Sequence, residues 1–289
     1  MASQVGGQAV PGSTVRGSLA SLVRGASAVG ASVLGVGLLI VLWWVGSLYL
    51  GARVLPPPDR TAETFLSIIT YSPAIALVGG GREGLWPHLL HTAATAIAGS
   101  VIGTGLGIAG GLALSWSRRL RDFFELPIEL LRTVPPLAAV PLFLMWFHRG
   151  LQGQLLLVGY FCFVRLVIFT LEAVHNVPPV HTQFALTLGA TRGQVFRTIV
   201  WPAIVPELTS GLRVVLPTAY GLEIIAEMMG AQSGVGRVFP GLVQLVAVSE
   251  IMATVLWVLL LAILTDVVIV RLTGRATRWM PSDSMLTRE

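Results

Sequence analysis

Among the ionisable side chains inside the long apolar runs of this chain, six stand out: Arg132, Arg165, Arg213, Glu223, Glu227 and Asp266. Charge at membrane depth is costly, so such residues point to function unless a partner explains them. Arg132 stands just ahead of Thr133-Val134-Pro135-Pro136. Broken backbone at that depth is tolerated where it lines a cavity or is packed inside protein. Arg132, Pro135 and Pro136 are therefore candidates for a polar path that admits an anion. The other reading of Arg132 is structural, with its guanidinium bonded to carbonyls or snorkelling to the surface. Glu223 and Glu227 lie four apart and share a helix face. They line a path or pair with an arginine, because two carboxylates along an anion route would repel one. Arg213 reads as an ion-pair residue. Asp266 reads as a proton site or as a partner for Arg271 or an arginine of another span. Arg165 has no assignment. His88 and His91 have a spacing that suits a metal, but no acidic or cysteine partner is near, and no metal site is assigned. Cys162, the one cysteine, reads as a small buried apolar residue.

The segments that carry these residues are apolar helices. Of 289 residues 54% are hydrophobic and only 11% charged, against about 25% charged in soluble domains. The apolar residues gather in runs of roughly 20, the length that crosses a bilayer as helix. Six spans are expected, near 28–50, 88–115, 124–147, 152–174, 203–229 and 248–271. Prolines 127, 135, 136 and 141 interrupt the third, and Pro206 and Pro217 the fifth. Gly99, Gly103 and Gly107 recur every four residues in the second, a small-residue face for close helix packing. The fold expected is all-α and polytopic, with a flexible N-terminal tail over 1–27, one membrane domain over 28–272 and a C-terminal tail over 273–289.

All 19 basic residues are arginine, and the net charge is +5. They cluster at span ends, as membrane topology requires, so the charge does not indicate nucleic-acid binding. With the N-terminus inside, the inner side holds Arg16, Arg24, Arg118, Arg119, Arg121, Arg192, Arg197, Arg271, Arg275, Arg278 and Arg288. The outer side holds Arg53, Arg60, Arg82, Arg149 and Arg237. The excess places both termini, and the polar insert near 175–202, in the cytoplasm. Outside, Asp59 or Thr61 is expected to cap a short helix with Phe65, Leu66 and Ile69 on one face. VGGGREG (78–84) reads as a flexible turn.

The insert reads as a short helix (183–188), a turn at Gly189 and a second helix (191–199) stopped by Pro202. Phe184, Leu186, Leu188, Val195 and Phe196 offer apolar surface, and Arg192 and Arg197 offer charge. A helix–turn–helix in a membrane protein's loop suggests a soluble partner. Its pattern is Gln183-Phe184-Ala185, three residues, Gly189-Ala190, then Ile199 and Trp201-Pro202. This resembles the EAA loop of permease subunits of ATP-binding-cassette importers, with Ala185, Gly189, Ile199 and Pro202 in register. Gln183, Phe184 and Trp201 depart from the pattern. LPPPDRTAETF (55–65), GLWPHLLHT (84–92), LLRTVPPLAAVPLFLMWF (130–147) and AEMMGAQSGVGRVF (226–239) resemble the nitrate/sulfonate/taurine branch in the same order.

The resemblance implies a type I importer permease in the bacterial inner membrane. Two copies would form the pathway, two cytoplasmic ATPase subunits would dock on the loops, and an external binding protein would deliver a sulfonate, taurine, nitrate or similar solute. Gln183, Phe184, Ala185, Gly189, Ala190, Arg192, Phe196, Ile199 and Pro202 would form the ATPase-coupling surface. Ser233, Gly234 and Gly236 would form an outer gate turn. The chain has no lysine and no GxxxxGK[ST] motif, so ATP and Mg would be bound by the partner ATPase, and no cofactor by this chain. A proton-coupled secondary transporter using Glu223, Glu227 or Asp266 is the alternative.

Overall fold

The computed structural model describes the backbone of residues 13–276 and side chains from 30 to 274. The outermost parts of the two expected tails, 1–12 and 277–289, lie outside the described residues. Two compact units divide at Thr61. The first contains α1 (Ser13–Leu50), helical from Ser13 rather than from about 28. It turns at Gly51, whose φ is +77°. The proline segment after it is tied back by Trp43 Nε1 donating to Pro56 O at 2.9 Å. Residues 30–50 of α1 are long and apolar enough to span.

In the second unit the helices are α3 (Pro73–Leu77), α4 (Trp86–Trp116), α5 (Arg118–Thr133), α6 (Pro136–Trp146) and α7 (Leu151–His175). They continue with α8 (Pro179–Thr187), α9 (Arg192–Val195), a π-helical turn (Phe196–Val200), α10 (Trp201–Met228), α11 (Val235–Gln244) and α12 (Val248–Ala276). Between the units α2 (Pro58–Ser67) crosses the boundary. No strand occurs among the described residues.

The glycine face of α4 determines the path of the chain. A Cβ at Gly99 would meet Val158, at Gly103 the backbone of Gly159, at Gly107 Phe163 and Leu166, and at Gly111 Thr170. The numbers rise together, so α4 and α7 run parallel. The intervening segment must therefore carry the chain back to the end from which α4 began. The bent pair α5–α6 does so, and with it the described residues hold six candidate spans. The third span is not the single helix expected over 124–147. It breaks with a 102° bend at Val134 and Pro135, which are extended with ψ of 120°. Each precedes a proline, and the following ring disfavours helical backbone there. Pro127 and Pro141 sit inside their helices without breaking them.

α7 and α10 run antiparallel. Asn176 Nδ2 donates to Glu207 Oε1 at 2.7 Å, Gly211 faces Phe169, and Leu157, Phe161, Val215 and Leu222 share one core. A second core gathers Ile68, Ile75, Leu85, Val235, Val238 and Leu242. Phe65 stacks on Trp257 at 4.5 Å.

The amphipathic reading of α2 needs two corrections. Thr61 lies inside the helix and donates to Pro57 O rather than capping it. Leu66 is 71% exposed, and of the three residues expected on one face only Phe65 and Ile69 pack against the core. The glycine tract after α3 is a tied loop, with His88 Nε2 2.9 Å from Gly80 O and Arg237 Nη1 donating to Val78 O.

Candidate functional site

Two features lie at opposite ends of α10. The first is the insert. α8 starts at Pro179 and ends at Thr187, where Gly189 reverses the chain at φ +87°. Gly189 N donates to Leu186 O at 3.0 Å and Ala190 N to Ala185 O at 3.1 Å. These bonds close the helix end with a left-handed residue that glycine adopts without strain. Thr191 then opens α9 through a capping box. Thr191 N donates to Gln194 Oε1 at 2.8 Å, and Gln194 N donates to Thr191 Oγ1 at 3.3 Å.

Pro202 does not stop this second helix. Residues Arg192–Met228 form one uninterrupted 37-residue helix. Proline lacks an N–H, and its ring would strike the carbonyl of residue 198 in a regular α-helix. The π turn ahead of it widens the backbone, with Trp201 N bonded to Phe196 O, and Pro202 is accommodated in the first turn of α10. Pro206 and Pro217 likewise lie inside α10 without ending it.

The surface of the insert is divided. Phe184 (66% exposed) and Leu188 (73%) project outward, as does Leu186; Gln183, Arg192 and Arg197 are exposed too. Phe184, Ala185, Leu188, Ile199 and Pro202 line one open cavity. Val195 and Phe196, expected on the outer surface, turn inward. Val195 is buried, and Phe196 lies 4.9 Å from the Trp116 ring at the end of α4.

The second feature is the turn after α10. Glu227 is fully buried. It accepts from Thr92 Oγ1 at 2.8 and 2.9 Å and from Gly236 N at 2.8 Å. Thr92 Oγ1 in turn accepts from Val235 N at 2.9 Å. A carboxylate and a hydroxyl thus satisfy the first N–H groups of α11, which a helix start leaves open. Gly234, at φ +105°, lies so close to the Glu227 carboxyl that no side chain fits there, and a Cβ on Gly236 would strike the Ile224 carbonyl. The structure therefore brings together Glu227, Gly234 and Gly236, which the sequence placed in two separate groups. In this conformation Glu227 pins the turn through these bonds. Ser233 lies at the turn's edge, partly buried. Thr92 and the helical character of α11 were missed, and Thr92 carries no local sequence signal of its role.

Glu223, one turn earlier, is fully buried with neither carboxyl oxygen bonded. Arg132 is exposed and bonded to Glu129 at 2.7 Å. Together with Pro136 and Arg165 it lines a cavity between the α5–α6 break and α7; Pro135 is exposed at the break itself. Arg213 pairs with Asp266 at 2.8 and 3.1 Å. Asp266 therefore has an arginine partner from another span, as one of its two readings expected. His88 is buried against the Gly80 loop, and Cys162 is buried beside Ser100.

Residues 99–280 match the model of the family described as binding-protein-dependent transport system inner membrane component. The chain belongs to this family. Among its relatives is the taurine transport system permease protein of Escherichia coli (strain K12), 29% identical over 248 residues, covering 83% of this chain and 86% of the relative. The putative aliphatic sulfonates transport permease protein of Bacillus subtilis (strain 168) is 28% identical over 246 residues, covering 84% and 85%. The fold matches the inward-facing MetNI methionine ABC transporter at TM-score 0.57 and 17% identity, over 71% of this chain and 99% of that one. An amino acid ABC transporter matches at 0.55 and 16%, over 75% and 98%. The fold is that of type I importer permeases, and the chain is a multi-pass transport permease. A proton-coupled secondary transporter finds no support in these relationships.

Proposed function

We propose that the chain is the translocating subunit of an ATP-driven importer in a bacterial inner membrane, and that α10 with its extension couples ATP hydrolysis to the outer turn. The observation that carries this reading is the continuous helix from Arg192 to Met228. It bears the exposed insert at one end and the Glu227 clasp at the other. At 1.5 Å per residue it spans about 55 Å. A force applied to the insert reaches the turn at 233–236 through one element.

The insert presents Phe184, Leu186 and Leu188 with Gln183, Arg192 and Arg197, an apolar surface rimmed by charge that suits a groove on a soluble ATPase. Arg118, Arg119, Arg121, Arg192, Arg197 and Arg271 lie at the insert's end of the second unit, against Arg82, Arg149 and Arg237 at the other. That bias supports a cytoplasmic insert and C-terminus. Ala185, Gly189, Ala190, Phe196, Ile199 and Pro202 give the docking surface its shape. Phe196 does so from within, by anchoring the insert to Trp116.

This chain supplies half a pathway. Two copies assemble with two ATPase subunits, which bind ATP and Mg, and an external binding protein delivers the solute. ATP-driven closure of the ATPase pair draws the two inserts together and favours the outward-open state. Hydrolysis restores the inward one, the bound ATP acting through its different contacts in the two states. The names of the relatives support a small sulfonate such as taurine as cargo.

The test is Gly189→Asp, which puts a side chain on a left-handed residue at the centre of the docking surface. The permease should still insert, while co-purification of the ATPase and binding-protein-stimulated hydrolysis are lost. Normal association and turnover in that variant refute the docking role.

A further inference from the structure

Arg165 is an exposed charge in the middle of a mostly buried helix. It lies ten residues before the end of α7, about 15 Å from the insert's end and about 21 Å from the other at 1.5 Å per residue. That is the centre of a hydrocarbon core about 30 Å thick. Its neighbours Val164, Leu166 and Val167 are buried. Its guanidinium lies 5.7 Å from the Phe161 ring centroid, a cation–π contact that positions the group without using its N–H donors. Among the described residues Arg118, Arg132 and Arg213 are in ion pairs with carboxylates of this chain, and Arg165 is in none of those pairs. An arginine at this depth is ordinarily paired with a carboxylate or with carbonyls.

Arg165 also stands where two cavities meet. One is lined by Arg132, Pro136, Tyr160 and Leu222. The other, of about 420 Å³, is lined by Pro136, Leu137, Phe169, Thr218 and Gly221. Arg132 already holds one carboxylate, Glu129, so its charge is largely offset. Arg165 keeps its full set of donors for an incoming group. A guanidinium fork suits a planar or trigonal set of anionic oxygens, which it binds through two parallel hydrogen bonds. A sulfonate head offers three such oxygens, and Phe161, Phe169 and Leu137 offer apolar surface for a short carbon stem.

We infer that Arg165, assisted by Arg132, is an anion-binding station for the sulfonate head of the solute at mid-membrane. This rests on the permease reading above and adds to it a residue that fixes the charge of the cargo. Neither fully buried glutamate of α10 faces these two cavities, so the site is cationic.

The experiment uses proteoliposomes containing the permease, its ATPase and its binding protein. It measures taurine delivered per ATP hydrolysed, with ATPase co-purification as the measure of assembly. Arg165→Gln should lower the ratio at least tenfold, Arg132→Gln should lower it by a smaller factor, and Arg165→Lys, which keeps the charge but loses the fork, should fall between Arg165→Gln and the unmodified complex. A purely structural arginine would lower uptake and hydrolysis together and leave the ratio alone, and that result overturns the proposal. So does an Arg165→Gln complex that dissociates while Arg165→Lys stays intact, which makes Arg165 an intersubunit ion-pair residue. If the unmodified complex hydrolyses ATP with the binding protein yet delivers no taurine, the sulfonate reading of the cargo fails, and the ligand assigned here fails with it.

Discussion

Replacing Thr92 by valine keeps the shape of the side chain and removes one hydroxyl from the clasp on the outer turn. That hydroxyl donates to Glu227 at 2.8 and 2.9 Å and accepts from Val235 N at 2.9 Å. The variant leaves Glu227 without one donor and Val235 N–H without an acceptor, both in a buried site. Each buried polar group left unsatisfied costs about 1–3 kcal/mol, so the clasp weakens by about 2–6 kcal/mol. At about 1.4 kcal/mol per factor of ten, local opening of the turn becomes roughly 30-fold to 10⁴-fold more frequent. Hydrogen exchange on the permease in nanodiscs reads this directly, because Val235 and Gly236 donate the amides held by Thr92 and Glu227. Peptides covering 231–238 should lose protection in Thr92→Val and keep it in Thr92→Ser, while peptides from α7 stay as they were. Unchanged protection at 235–236 in the valine variant refutes the clasp.

The parallel seam of α4 and α7 predicts that Gly103→Ala, whose Cβ would strike the Gly159 carbonyl, loses about 1–3 kcal/mol by overpacking. Gly105→Ala, with nothing within 4 Å, should leave the melting temperature in detergent unchanged. Leu188→Asp puts a charge on a side chain that is 73% exposed; ATPase binding should weaken at least tenfold while the melting curve of the free permease stays put. The native Cys162 is buried, which gives a quiet background for labelling. Leu188→Cys should react with an impermeant maleimide only from the cytoplasmic side, and His148→Cys only from the outside.

Much of this fold was legible because hydropathy and span length are local properties. The starts of α4, α7, α10 and α12 lie close to the expected positions for that reason. What the sequence hid is what depends on distant partners or on the three-dimensional course of the backbone. The four-residue glycine spacing exposed a packing face on α4, but nothing in it identified α7 as the neighbour, or a parallel one. Thr92 and Glu227 stand 135 residues apart, so their bond could not be read from either segment. Pro202 looked like a stop because proline breaks regular helix. The π turn that relieves its clash is a backbone solution with no residue signature. The insert was the most legible part of the candidate site because its turn chemistry is local: a left-handed glycine, a capping threonine, and glutamine three residues on. The inward turn of Val195 and Phe196 was not legible, because it depends on where Trp116 ends α4.

The packing also bears on the solute route inferred above. Between α4 and α7 the backbones approach so closely at Gly103 and Gly159 that not even a methyl group fits, so nothing passes along that seam. Leu157, Phe161, Val215 and Leu222 close the core between α7 and α10 in the same way. What remains is the face that turns away from both seams, where Leu137, Arg165, Val214, Thr218 and Gly221 are exposed. A charge is poorly suited to lipid, since the hydrocarbon core offers it no partner. The face is therefore half of an enclosure and needs a facing surface to complete it. The second copy proposed above would supply one with the same arginine, which would bring two Arg165 side chains to a shared path and make that path more strongly cationic than one chain alone.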